Sequence, residues 1–367
     1  YNPRYISGFI NRLKYNITHY KLKKIYKSFG VSKILDYQKN TISSSDVKKL
    51  YNHLFSKINS KSDLEKLKYE NIWIGDLIYD EYLKTYLAAT VDIKSDKFKK
   101  LIFEFAFLFL YWKEYFDKNN VKAVMISHPC YFMGIPLRIA NSKTVPTYLV
   151  TLRDVYYLNK ENPMPHREFQ SFKKDFENLE KEIKEKAIIE AQEKLNFRFE
   201  GKIAVDQPYM KASGYSKNYQ PQNILNNKSK IKILIAPHSF SDNPHSKGIA
   251  IFPDYYEWLK FLGEFSNITN YEWYIKPHPG ALKEDIETIK KFVKNYSKIC
   301  YLDDTVSHLQ LIQNGINIVF TVYGSIALEY AAKNIAVINA GNNPHISFDF
   351  NIHPKSKENL KDIIMNL

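Results

Sequence analysis

Two short segments of the sequence carry residue types suited to gripping phosphate. One reads Tyr274-Ile275-Lys276-Pro277-His278-Pro279-Gly280, the other Thr321-Val322-Tyr323-Gly324-Ser325-Ile326-Ala327-Leu328-Glu329. Each is an apolar run that ends in small or polar residues where a helix is predicted to begin. Helix starts present unpaired N–H groups and a partial positive charge, so anions collect there. The imidazole of His278, stiffened between Pro277 and Pro279, can donate to a phosphate oxygen. Lys276 sits two residues before it. Gly324 permits close backbone approach, and Ser325 offers both an N–H and a hydroxyl. Two such strand ends side by side predict a bound nucleotide diphosphate, and with it an enzyme that uses an activated sugar.

The elements around these residues follow a regular alternation. In the first half, residues 121–127 read as a buried strand ended by His128-Pro129, residues 131–140 as a helix and 145–151 as the next strand. That is a β-α-β unit and implies parallel pairing. Earlier, Asn71-Ile72-Trp73-Ile74-Gly75-Asp76 reads as a short strand and turn, followed by helices over 77–87 and 98–118. Residues 166–196 form a charged helical stretch with a solvated face. In the second half, strands at 231–236, 272–275, 299–302, 318–321 and 336–338 alternate with helices at 254–265, 285–295, 307–314 and 325–333. The pattern predicts an α/β fold of two doubly wound, Rossmann-like domains facing a central cleft. The expected boundaries are an N-terminal, acceptor-side domain over 1–208 with its α/β core from about residue 71, and a polar linker over 209–230. A nucleotide-binding domain over 231–345 and a helical tail over 346–367 complete the chain.

Composition fits this division. A chain of 367 residues exceeds one ordinary core, and 44% hydrophobic with 15% aromatic content is ample for folding. Cys130 and Cys300 lie in apolar surroundings and are expected to be buried free thiols in a reducing cytoplasm. The longest apolar run, 101–112, is broken by Glu104 and is too short to span a bilayer; no signal peptide is legible. The net charge is +14, and residues 1–50 hold eleven Lys/Arg against two Asp/Glu. There Ile6, Phe9, Ile10, Leu13, Ile17 and Tyr20 fall at helical spacing among Arg12, Lys14, Lys21, Lys23 and Lys24. The segment reads either as a basic amphipathic helix for an anionic membrane surface or acidic glycan, or as an ordinary helix of a Lys-rich protein. No nucleic-acid motif accompanies the charge, so nucleic acid is not an expected partner. Without a Gly-x-Gly-x-x-Gly or a Walker loop, neither a dinucleotide dehydrogenase nor a P-loop kinase is expected.

With these residues in view, the second half resembles GT-B glycosyltransferases of bacterial capsule and surface-polysaccharide synthesis. The resemblance rests on the Lys-Pro-His-Pro strand end, the Asp303-Asp304-Thr305 turn and the Gly-Ser-x-Ala-x-Glu helix start. It is similar to the group that includes Kdo transferases, polysialyltransferases and teichoic-acid polymerases. Ser127-His128-Pro129-x-Tyr131 and Ile74-Gly75-Asp76-Leu77-Ile78-Tyr79-Asp80 look like acceptor-domain motifs of related capsule proteins. Where the polysialyl- and Kdo-transferase types often carry a Ser-Ser pair, this chain has Gly324-Ser325, which leaves the nucleotide base open.

The resemblance implies roles for single residues. His278 and Lys276 contact the donor phosphate or ribose, Gly324 and Ser325 bind phosphate, and Glu329 takes the ribose hydroxyls. Thr305 and Ser307 border the base pocket. In the loop Pro237-His238-Ser239-Phe240-Ser241-Asp242-Asn243-Pro244-His245, His238 and Ser239, with Asp242 and His245, reach the diphosphate or the sugar. No spacing matches a metal motif, and no metal or other cofactor is expected; the sugar nucleotide is a substrate. An inverting transferase needs a base for the acceptor hydroxyl. Asp76, assisted by His128, is expected to supply it from first-half strand ends, the competing readings being a helix N-cap and a packed histidine. The expected protein is a cytoplasmic transferase, peripheral at the inner face of the membrane, that passes a sugar from a nucleotide donor to a glycan or lipid-linked glycan. A UDP-GlcNAc 2-epimerase-like isomerase and a non-catalytic glycan-binding module are the alternatives.

Overall fold

Strands with apolar residues on both faces suit a sheet covered on both sides, and the second half of the chain has five of them. In the computed structural model they form such a sheet. The structure describes residues 9–35, 42–151, 154–164, 169–203, 212–217, 219, 224–226, 229–246 and 250–367. The first half runs α1 (Phe9–Ser28), α2 (Ser44–Phe55), α3 (Lys61–Glu65), β1 (Lys68–Tyr69), β2 (Ile72–Trp73), α4 (Gly75–Tyr86) and α5 (Asp96–Lys118). It continues with β3 (Val124–Ile126), α6 (Ile135–Ser142), β4 (Thr147–Val150), β5 (Val155–Leu158), α7 (Phe172–Glu177) and α8 (Lys181–Phe199). The second half runs β6 (Lys232–Ile235), α9 (Tyr255–Ile268), β7 (Glu272–Ile275), α10 (Lys283–Asn295), β8 (Ile299–Tyr301) and α11 (His308–Gln313). It ends with β9 (Ile318–Thr321), α12 (Ile326–Ala331), β10 (Ala336–Asn339) and α13 (Lys357–Met365).

The second-half sheet is parallel throughout, in the order β8-β7-β6-β9-β10. Ile233 of β6 pairs with Trp273 of β7 on one side and Ile318 of β9 on the other. Side chains alternate between two cores, as a period of two requires. Ile233, Ile235, Trp273, Ile275 and Phe320 pack with Trp258, Leu262, Phe292 and Leu360 from α9, α10 and α13. Leu234, Tyr274, Val319 and Val337 face the other way, onto Leu311, Ala327 and Tyr330 of α11 and α12. Burying each large side chain in these layers contributes roughly 1.5–3 kcal/mol. Because every strand runs the same way, all five carboxyl ends lie along one edge. The strand order reverses between β6 and β9, the place where open α/β sheets take ligands.

The first half has a smaller, mixed sheet. β3 and β4, joined by α6, are parallel, while β5 returns antiparallel to β4. The strand expected over 121–127 is only three residues long. β1 and β2 pair as an antiparallel hairpin closed by Glu70 and Asn71, whose φ of 49° and 61° place both in the left-handed region. That is the two-residue primed turn that matches strand twist. The chain then enters α4 at Gly75, where a Cβ would lie 1.9 Å from the Leu64 carbonyl oxygen. Only glycine fits there. α4 and α5 bury Leu77, Ile78, Phe98, Phe105 and Phe109 in the core of this half.

Residues 1–44 make one compact unit and 45–367 another. In the first, α1 exposes Tyr20, Ile25 and Tyr26 beside Lys21, Lys23, Lys24 and Lys27, and Phe29 just after it is exposed as well. Ile6 and much of the stretch 209–230 lie outside the described residues. No helix among the described residues is long and apolar enough to cross a membrane. Both cysteines are free, but only Cys130 is buried; Cys300, on β8 at the edge of the sheet, is exposed.

Candidate functional site

The carboxyl edge of the second-half sheet gathers a cationic cluster. Lys276 directly follows β7 and is 2% exposed. Among the described residues its ammonium makes one hydrogen bond, a long one of 3.4 Å to the Pro277 carbonyl. Burial lowers its pKa to about 8, with Asp304 and Asp303 pulling the other way. No carboxylate lies within ion-pairing distance of it among the described residues; a buried cation of this kind is costly and favours an incoming anion.

His278 lies on the rim, its surface open to solvent, and accepts a hydrogen bond from the Gly280 N–H at Nδ1. That leaves Nε2–H as a donor. Surrounding protein, then Lys276 and Arg198, lower its pKa, so it is neutral at pH 7. His308, in the first turn of α11, is buried and held well below its ordinary pKa by burial and by Lys276, His278 and Arg198. Its backbone N–H donates to the Gly214 carbonyl at 2.8 Å, and Nδ1 lies 3.0 Å from the Tyr330 hydroxyl.

Glu329 closes the cluster. Its carboxylate is 3% exposed and takes Arg198 Nε at 2.5 Å, the Tyr215 hydroxyl at 2.6 Å and the Ser325 hydroxyl at 3.2 Å. Expected as a partner for ribose hydroxyls, it is engaged by protein groups on both oxygens. Ser325 is exposed and spends its hydroxyl on Glu329 rather than capping α12. At Gly324 a Cβ would come within 2.9 Å of Thr321 Oγ1, so the close approach there is to the chain's own strand. α11 and α12 have six residues each, which gives them a weak dipole; positive charge at this edge comes mainly from Lys276 and Arg198.

The remaining sequence candidates are distributed less tightly. Ser307 is 1% exposed and caps α11 by accepting the Leu309 N–H, the plain helix-start role. Thr305 is exposed and donates its hydroxyl to Asp303 at 2.7 Å. His238, after β6, stacks on Tyr255 with ring centroids 5.2 Å apart and meets Tyr323 edge-on at the sheet's switch point. Ser239 lies 3.5 Å from Ser241. His245, expected to reach a ligand, is instead buried and bonded through Nδ1 to Asp80 of α4 at 2.7 Å. Among the described residues no group of three or more His, Cys, Asp or Glu is placed to hold a metal ion.

Asp76 departs most from expectation. It stands in the first turn of α4, not at a strand end open to a cleft, and is 1% exposed. Its Oδ2 is 2.5 Å from Arg138 on α6, which also donates to the Trp73 carbonyl at 3.0 Å. Burial raises its pKa, opposed by Arg138 and His245. His128 is exposed on the loop after β3, with Nδ1 3.0 Å from Ser127 Oγ. The two are therefore not assembled as a pair. The helix starts one residue before Asp76 because Gly75 alone tolerates the turn against Leu64.

The loops that follow β3 and β6 nevertheless meet. Asn243 Nδ2 donates to Cys130 Sγ at 3.3 Å and its N–H to the Tyr131 hydroxyl at 3.4 Å. Arg198, Tyr215 and His308 were not singled out by sequence. Arg198 ends a helix that reads as solvated, though it is the one arginine of that Lys-rich helix. Tyr215 follows Gly214 inside a stretch that reads as linker, yet is 2% exposed.

The fold and this edge define a mixed α/β protein with a cationic, partly unsatisfied site at the carboxyl ends of a parallel sheet. Compared with known proteins, the chain matches no family model, no curated protein sequence and no solved structure.

Proposed function

We propose that the chain is a glycosyltransferase of two facing α/β domains that moves a sugar from a nucleotide donor to a surface glycan. The observation that carries this reading is Lys276, a buried ammonium at the carboxyl end of a central parallel strand that, among the described residues, makes one long hydrogen bond and pairs with no carboxylate. A diphosphate is the anion that best fits it: one oxygen takes the ammonium, and another takes Nε2–H of the neutral His278. Arg198, anchored on Glu329, adds positive potential beside them. As the leaving phosphate gains charge, these fixed groups stabilise it without reorganising. The contact of the loop after β6 with the segment after β3 supports placing the acceptor against the first half. Of the two candidate bases, His128 is the exposed one and takes the acceptor proton; Asp76 holds Arg138.

Thermal-shift titration against CMP, CDP, UDP, GDP and dTDP tests the donor site. A matching nucleotide at 100 times its Kd contributes about 2.7 kcal/mol and raises the melting temperature measurably. His278→Ala and Ser325→Ala are expected to weaken that nucleotide, the first by roughly tenfold for one charge-assisted hydrogen bond. Unchanged affinity in both variants sinks the assignment. Sugar-nucleotide turnover that needs no added glycan would instead favour an isomerase.

A further inference from the structure

A large cavity in the first half shares no lining residue with the cationic edge. It is a groove of about 990 Å³ between the β1–β2 hairpin, α6 and the segment after β5. Its size falls at the upper end of ordinary small-molecule sites. Trp73 and Met164 supply apolar wall, and Lys66, Lys68 and Lys160 stand exposed around it. Two carboxylates share the lining, but Glu70 is held by Lys113, which leaves Glu161 against three lysines.

Arg138 contributes to the lining and is 4% exposed. Two of its nitrogens are committed, to Asp76 and to the Trp73 carbonyl, while its buried Nε has no hydrogen-bond partner among the described residues. A buried guanidinium N–H left without an acceptor is expensive, and an incoming oxygen relieves that cost. Its guanidinium carbon lies 5.0 Å from the Trp73 ring centroid, so one indole face is already covered. A single, half-covered aromatic cannot stack successive nucleobases, which single-stranded nucleic acid sites require. One apolar plate ringed by cations and by the amide of Asn141 suits a polar ring that carries an anionic group.

We propose that this groove binds a segment of an anionic glycan, a chain of sugar or polyol units bearing carboxylates or phosphates. Lys66, Lys68 and Lys160 hold successive anionic groups, Arg138 Nε takes an oxygen, and Trp73 bears on a ring face. The proposal rests on the groove alone and does not need the transferase reading. If both hold, the groove is the path of the acceptor chain, and Arg138 connects its floor to Asp76.

The test is isothermal titration of the full chain with four probes: a uronate-containing tetrasaccharide, a glycerol-phosphate oligomer, neutral chitotetraose, and an oligothymidylate of equal charge. Either anionic glycan is expected to bind and to lose at least tenfold in affinity in Lys66→Gln/Lys68→Gln/Lys160→Gln. The tighter of the two identifies the anion as carboxylate or phosphate. These lysines are exposed, so the melting temperature and any nucleotide-induced shift are expected to stay at the wild-type value; the donor-site reading is thereby tested separately. Equal binding of chitotetraose, unchanged affinity in the triple variant, absence of binding by both anionic glycans, or oligothymidylate binding as tightly with the same loss each overturns the proposal.

Discussion

At the scale of single residues, Lys276 trades stability for a binding charge. Burial lowers its pKa from 10.5 to about 8, so between those values the unfolded chain holds more protons and stability rises with pH. Below pH 8 the buried charge costs up to about 3 kcal/mol. Lys276→Met is therefore expected to raise the urea midpoint at pH 7, with the gain over wild type fading toward pH 10.5, while removing the nucleotide-induced thermal shift. In the wild-type protein, nucleotide affinity should weaken above pH 8, by up to tenfold per pH unit, as the free ammonium loses its proton. A variant less stable than wild type at pH 7, or a flat affinity profile from pH 7 to 9.5, contradicts this account. Sequence placed Lys276 and His278 correctly at a strand end because the Pro-His-Pro run stops the strand by covalent constraint. It could not show that Glu329 is already held, since its partners Arg198 and Tyr215 come from segments with no periodic signal of their own.

At the scale of elements, α4 explains why the expected base is a structural ion pair. The primed turn at Glu70-Asn71 and the glycine at 75 force the helix to begin tight against Leu64. That start draws Asp76 inward, under Arg138 of α6. Sequence read the segment as strand, turn and helix, which is its order; the register of the helix start, two residues earlier than expected, decides whether Asp76 faces solvent or protein. Such an offset is set by backbone contact with α3, which no local pattern reports. Removing one partner of a buried pair leaves the other uncompensated, so Asp76→Asn is expected to cost roughly 3–5 kcal/mol. Asp76→Asn/Arg138→Met should recover most of that loss. The check is urea denaturation of the single and double variants; a single variant as stable as wild type would show that the pair is not what holds α6 to α4.

At the scale of the whole molecule, the two halves of residues 45–367 are joined by buried and half-buried polar contacts that span long sequence separations. Tyr79 and Thr90 both donate to Asp254 at 2.5 Å, Lys61 meets Glu257 at 2.6 Å, and Asp80 takes His245. The alternating strands of the second half were legible because a buried parallel sheet writes its pattern locally, residue by residue. The seam was not, because Asp80 and His245 are 165 residues apart, and the runs that contain them read as ligand-facing motifs, with no signal of their pairing. Burial opposes charge on His245, but Asp80, with Glu65 and Asp76 behind it, outweighs burial and lifts its pKa to about 10. Burial raises Asp80 to about 6 despite His245, so both partners are charged between those values. A histidine whose folded pKa exceeds its unfolded value stabilises fully below about 6.5 and loses that contribution as pH rises through 10. Lys276 drifts the other way above pH 8, so the seam must be read as a difference between proteins. His245→Gln is expected to lower the urea midpoint at pH 7, by on the order of 3 kcal/mol for a broken buried pair. The gap from wild type should narrow steadily toward pH 10, where the wild-type imidazole is losing its charge. A gap that stays constant from pH 7 to 10 would mean that packing of the ring against Tyr79, 5.0 Å between centroids, joins the halves rather than its charge.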